Sequence, residues 1–178
     1  MRAFLFASAA AIAALLFGTH GVPWLEKTRL QDGKSTILSP CRLALLGPRV
    51  VDGDTIECHG HLLRLQKYDT PEFYRPLCNA ERARAIEACR MLDALIEEAG
   101  RRGAVPRVAG FSGGFGRWEF DLTVGGRSVG EALKDEGLAI GEAKDGKERL
   151  DRRLAAWCGG KAEDVEKRER DTSCLAPD

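Results

Sequence analysis

The order of the expected elements points to an α+β fold. Short β-type runs fill the first part of the 178-residue chain, a long helical stripe begins near residue 79, and glycine turns punctuate the second half. Strands first and helices packed on them afterwards suit a small β-barrel with helical cover. Hydrophobic residues make up 44% and charged residues 30%, a balance that excludes a disordered tail and leaves enough apolar surface for one core.

The strands read in order. Residues 42–51 are apolar and strand-like, interrupted by Gly47-Pro48, and Asp52-Gly53 is a tight-turn dipeptide. Residues 55–58 and 62–66 flank His59-Gly60-His61 and predict a hairpin. Asn79 is the expected cap of a helix whose stripe is Ala83, Ile86, Cys89, Leu92 and Ile96, running to Gly100. Strands are expected over 105–111 and 117–124, the second closed by Gly125-Gly126. A short helix over 129–136 has Ser128 as cap and Gly137 as its C′ residue. Leu150, Leu154 and Trp157 at i, i+4, i+7 predict a last helix. Residues 161–171 are almost all charge, expected to form a solvated helix or tail.

The N-terminus carries its own signal. Arg2 precedes an uncharged stretch over 3–17 whose only polar residue is Ser8. That is short for a span of about 20 residues and fits the apolar part of a secretory signal. Residues 1–21 are thus a signal peptide cleaved near Thr19-His20-Gly21, or an uncleaved anchor extended by residues 22–25; either exports the domain to the periplasm or beyond. Residues 22–40 form a lead-in, 41–158 the domain, and 159–178 a charged tail. Six cysteines agree with an oxidising compartment, although Cys89 inside the helical stripe could equally be a buried thiol. Lys plus Arg equals Asp plus Glu at 27 each, which argues against a protein that coats nucleic acid by bulk charge. A monomer is expected.

Two acidic turns carry the chemistry. Val51-Asp52-Gly53-Asp54-Thr55 and Tyr68-Asp69-Thr70-Pro71-Glu72 frame the hairpin, whose folding brings Asp54 and Asp69 together. Neighbouring carboxylates repel unless a positive charge separates them. A hard cation answers that need: Asp54, Asp69 and the Thr70 carbonyl make an oxygen site for Ca2+, with Mg2+ not excluded. A hairpin centred on Gly60 makes Arg64 a same-face diagonal neighbour of Asp54; a two-residue turn at His59-Gly60 sets position 54 opposite 65 and turns Arg64 away. Glu72 is placed to take a proton from water, and Arg117, after Phe115-Gly116, to turn back over the same pocket. Two arginines match phosphate oxygens and stabilise charge on a phosphoryl group under attack.

Taken together, residues 51–56, Arg64, residues 69–72, Phe115-Gly116-Arg117 and residues 129–139 resemble the staphylococcal nuclease-like, or thermonuclease, family over roughly residues 42–158. The resemblance implies a five-stranded OB-type β-barrel with about three helices, calcium ligands at Asp54, Asp69 and Thr70, and catalytic Arg64, Glu72 and Arg117. It also implies hydrolysis of DNA or RNA to 3′-phosphates. The chain departs from the family at Gly113-Gly114-Phe115-Gly116-Arg117, where members often carry an acid and a tyrosine before the arginine; Phe115 is left to stack on a base or join the core. The alternative is an OB-type module that binds nucleic acid or a partner without cutting.

Overall fold

The computed structural model describes residues 36–37, 47–58, 60–104, 106–112, 117–169 and 173–175. The signal or anchor segment, most of the lead-in, residues 42–46, His59, Val105 and the Gly113–Gly116 loop with Phe115 lie outside the described residues. The fold is α+β. Six strands form one sheet: β1 (Thr36–Ile37), β2 (Arg49–Asp52), β3 (Thr55–Cys58), β4 (His61–Leu65), β6 (Arg107–Ser112) and β7 (Arg117–Asp121). Their spatial order is β1-β6-β7-β4-β3-β2, antiparallel except for the parallel β4–β7 pair. Short ribbons add β5 (Tyr68–Asp69) with β10 (Ile140–Gly141), and β8 (Thr123–Val124) with β9 (Arg127–Ser128). Among the described residues the sheet is open, with β1 and β2 at its edges, so the expected barrel is not seen as a closed one.

Three helices cover the sheet among the described residues: α1 (Asn79–Arg101), α2 (Val129–Asp135) and α3 (Gly146–Trp157). Of the stripe expected for α1, Cys89, Leu92 and Ile96 are buried, Ile86 is half-buried and Ala83 is exposed; the buried side is Glu81, Ala85, Ala88, Cys89, Leu92, Ile96, Ala99 and Gly100. Small residues recur at one-turn spacing, which lets the helix lie close on β2. The cap is Cys78 rather than Asn79: its sulfur accepts from the Glu81 N–H. Ile56, Leu63, Leu65, Phe120 and Leu122 supply the sheet side of the core. None of the helices among the described residues is long and apolar enough to cross a membrane.

The last helix expected from Leu150, Leu154 and Trp157 is present as α3, but that stripe does not seat it: Leu150 is 42% exposed and only Trp157 is buried, its indole N–H donating to the Gly137 carbonyl at 3.1 Å. A disulfide from Cys158 to Cys78 at the head of α1 anchors the helix instead. The charged run forms no helix, and most of its described residues are solvated as expected. Over 161–169 it lies extended across the loop before α1, with Glu163 N–H donating to the Leu77 carbonyl at 2.7 Å and Arg168 N–H to that of Tyr74 at 2.9 Å. Val165 is the buried residue of this segment. Cys174 then bonds Cys89 in the middle of α1, which settles Cys89 as a disulfide cysteine. Cys58 is disulfide-bonded as well, with its partner outside the described residues.

The Cys89–Cys174 bond closes 85 residues of chain, so it removes much entropy from the unfolded state. Replacing both cysteines by alanine is expected to cost about 2–4 kcal/mol, read as a lowered urea midpoint.

Candidate active site

The site is assembled where β2, β3 and β4 meet the segment after β5. Asp52 ends β2 and Thr55 begins β3, directly paired across the Gly53-Asp54 turn. Gly53 is required by space: a Cβ there would lie 2.8 Å from the Ala88 Cβ of α1 and 2.9 Å from the Thr70 hydroxyl. The turn is thereby pressed between α1 and Thr70, bringing Asp54 beside the second acidic segment. The Asp54 carbonyl accepts from Leu65 N–H at 2.7 Å, and its carboxylate from the Thr55 hydroxyl at 2.9 Å.

The hairpin register corrects the sequence argument. Cys58 pairs with His61 and Thr55 with Arg64, which is the two-residue turn at His59-Gly60. In that register strand alternation is expected to turn Arg64 away from Asp54. The guanidinium nevertheless reaches it, with Nη1 2.7 Å from Oδ1 and 2.6 Å from Oδ2. The reason is that Asp54 belongs to the turn and not to the strand, so alternation does not fix its direction. Thr55, directly opposite Arg64, shares its face, and Asp54 folds back onto that face through the Thr55 hydroxyl.

Arg64 holds the second carboxylate too. Its Nη2 donates to Asp69 Oδ1 at 2.5 Å and to the Tyr68 carbonyl at 3.1 Å. Asp69 sits in β5, fixed by pairing with Ile140 of β10, and its other oxygen accepts from Ala143 N–H at 3.2 Å. Both carboxylates are 3% exposed as residues, so this is a buried three-charge cluster. Burial works against the charge on Arg64, but Asp54 and Asp69 hold its proton above the ordinary range. Asp52 shows the opposite stress: burial first, then the charges of Asp54 and Glu72, push its carboxyl up to about 8.

Arg117 arrives from β7. Arg64 is the parallel partner of Glu119, two residues further along that strand, so Arg117 and Arg64 share one face of the sheet. Asp54, Arg64, Asp69, Thr70, Glu72 and Arg117 all line one polar cavity of about 260 Å³. Every residue expected from the sequence to bind metal or act in catalysis therefore borders the same space. Leu62, Arg149 and Arg153 complete the wall. The last two carry no mark in the sequence. They lie one turn apart on α3, a helix whose other charges read as an ordinary solvated face. Arg149 Nε donates to Asp69 Oδ2 at 3.3 Å.

No protein-family model and no curated protein matches this chain.

The donor set suits a hard cation. Two buried carboxylates and the buried Thr70 face one polar cavity. Among the described residues no cluster of three or more His, Cys, Asp or Glu side chains forms a metal cage. A cation at this place would share Asp54 and Asp69 with Arg64 and complete its shell with water.

Gly53→Ala is expected to destabilise the protein by about 1–3 kcal/mol, because the added methyl meets a helix methyl as well as a hydroxyl. Denaturant unfolding checks the loss, and Gly53→Ala/Ala88→Gly should recover part of it by opening one of the two contacts.

Proposed function

We propose that the protein is an exported, calcium-dependent nuclease that hydrolyses phosphodiester bonds of DNA or RNA and leaves 3′-phosphates. The observation that carries the reading is the shared cavity of Asp54, Arg64, Asp69, Thr70, Glu72 and Arg117. Arginines and carboxylates together on one cavity wall suit a substrate that is anionic and must be attacked by water. Arg64, held rigid by two carboxylates, presents its charge without having to reorganise during the reaction.

In this reading Asp54, Asp69 and the Thr70 carbonyl would hold a calcium ion, which would supply Lewis acidity. Glu72 accepts the proton of the attacking water. Arg64 and Arg117 bind the non-bridging oxygens and stabilise the charge that gathers there as the fifth bond forms. The same reading takes the sheet as part of a five-stranded OB-type barrel. Its two edge strands, β1 and β2, follow one another in the chain, as two parts of one bent barrel strand would. Export is supported by the disulfides, which an oxidising compartment maintains.

Cleavage of single-stranded and duplex DNA, and of RNA, with calcium and with chelator tests the assignment. Arg64→Ala is expected to lower kcat by about 10²-fold or more, as loss of one stabilising donor does in comparable sites. Activity that ignores chelator, or survives the substitution, overturns the mechanism; intact folding with nucleic-acid binding and no cleavage favours the binding module.

Calcium binding has a readout apart from activity. Saturating calcium at 100 times its dissociation constant should stabilise the fold by about 2.7 kcal/mol, seen as a raised thermal midpoint. Asp54→Asn/Asp69→Asn should remove that rise.

A further inference from the structure

The most deeply buried charge among the described residues lies outside the chemistry assigned so far. Glu81, on the first turn of α1, is 0% exposed. Its Oε1 accepts from the Glu72 backbone N–H at 3.3 Å, and its Oε2 from the Leu77 N–H at 2.6 Å. One carboxylate thus holds both ends of the loop that carries Glu72. Arg153 of α3 neutralises it, with Nε 2.6 Å from Oε1 and Nη2 3.0 Å from Oε2, while the same Nη2 reaches the Arg75 carbonyl in mid-loop at 3.1 Å. The Cys78–Cys158 disulfide fastens the far end of the loop to the end of α3.

A buried ion pair is a costly way to fill space, since apolar side chains of the same volume usually pack as well or better. What an apolar residue could not do is accept two loop N–H groups and fix one helix to the same point. We infer that Glu81, held by Arg153, is a positioning residue that sets the backbone of Glu72 and so aims its carboxylate at the water it deprotonates. The inference rests on the nuclease reading for what Glu72 does, and on the hydrogen bonds alone for what Glu81 does. Glu81 touches no substrate; it acts through the loop. Glu81→Gln is the informative change, because the amide NH2 puts a donor where one of the two loop N–H groups needs an acceptor.

The test uses the full chain with both disulfides formed. Two measurements are made on Glu81→Gln: calcium-supported cleavage of single-stranded DNA, and amide hydrogen exchange at Glu72 and Leu77. The expected result is a loss of about tenfold in kcat with KM within about twofold, and exchange at those two amides faster by about tenfold or more while β3 and β4 stay protected. In a Glu72→Gln background the same substitution should cost nothing further, because the group it aims is gone. Breaking a buried pair can unfold a domain, so Glu81→Gln/Arg153→Met, which removes both charges, is run beside it and should show the same exchange pattern. Equal losses in both backgrounds, or unchanged exchange at Glu72, would overturn the inference. If the wild-type protein cleaves no nucleic acid, the nuclease reading fails, and the exchange result alone decides whether Glu81 holds the loop.

Discussion

A single guanidinium between two buried carboxylates decides where three parts of the chain meet. Arg64 comes from the middle of the sheet, Asp54 from the turn that begins the hairpin, and Asp69 from the ribbon that β10 completes. Taking three charges out of water costs several kcal/mol per ion unless geometry and extra hydrogen bonds repay it. In this cluster both Asp54 oxygens meet Nη1, the Thr55 hydroxyl and Ala143 N–H satisfy further lone pairs, and Nη2 also caps the Tyr68 carbonyl. Such a cluster contributes little net stability against an apolar core, but any misplacement of one member leaves another charged and unpaired. It therefore works as a constraint on geometry, and the cavity that it borders inherits that constraint.

Much of this is legible in the sequence because it is local. The Asp-Gly turn, the hairpin, the α1 stripe and the carboxylates on either side of Arg64 all lie within the span 52–101. The register is where sequence logic fails. Strand alternation is dependable within β3 and β4, but it does not extend one residue further, onto Asp54 in the turn. On alternation alone, the two-residue turn at His59-Gly60 and the Arg64–Asp54 contact are mutually exclusive, whereas the turn backbone at Gly53-Asp54 reconciles them. Gly53 holds the missing information: its place against Ala88 and Thr70 depends on a helix residue more than thirty positions away.

The hidden part is long-range. Glu81 reads as an ordinary first-turn acid that favours the helix N-terminus, and nothing nearby distinguishes it from its exposed neighbours. Its partner Arg153 lies 72 positions on, in a run of arginines with no internal mark. The segment after Gly160 escapes for a related reason. Charge composition correctly reports that most of its side chains face water, but the backbone hydrogen bonds to Leu77 and Tyr74 and the Cys89–Cys174 bond are indifferent to that composition. A charged surface and a fixed backbone are compatible, and only the pairing of cysteines, one of about 15 possible sets for six, would tie that segment down.

These long-range ties share one target. The loop from Thr70 to Cys78 has no regular structure of its own, yet Tyr74 is 2% exposed, and its hydroxyl donates to the Val51 carbonyl at 2.7 Å. Glu81 grips it from α1, Arg153 from α3, the Cys78–Cys158 bond from its end, and residues 163–168 from above, where Arg168 lies 5.3 Å from the Phe73 ring centre. A loop left alone would sample many conformations, and each ordered residue costs roughly 1–2 kcal/mol of backbone entropy. A proton acceptor placed on such a loop would spend little time in a productive direction. The four restraints, drawn from α1, α3 and the C-terminal segment, transfer that entropic cost from the loop to the fold as a whole. The disulfides then lower the cost again by limiting the unfolded chain.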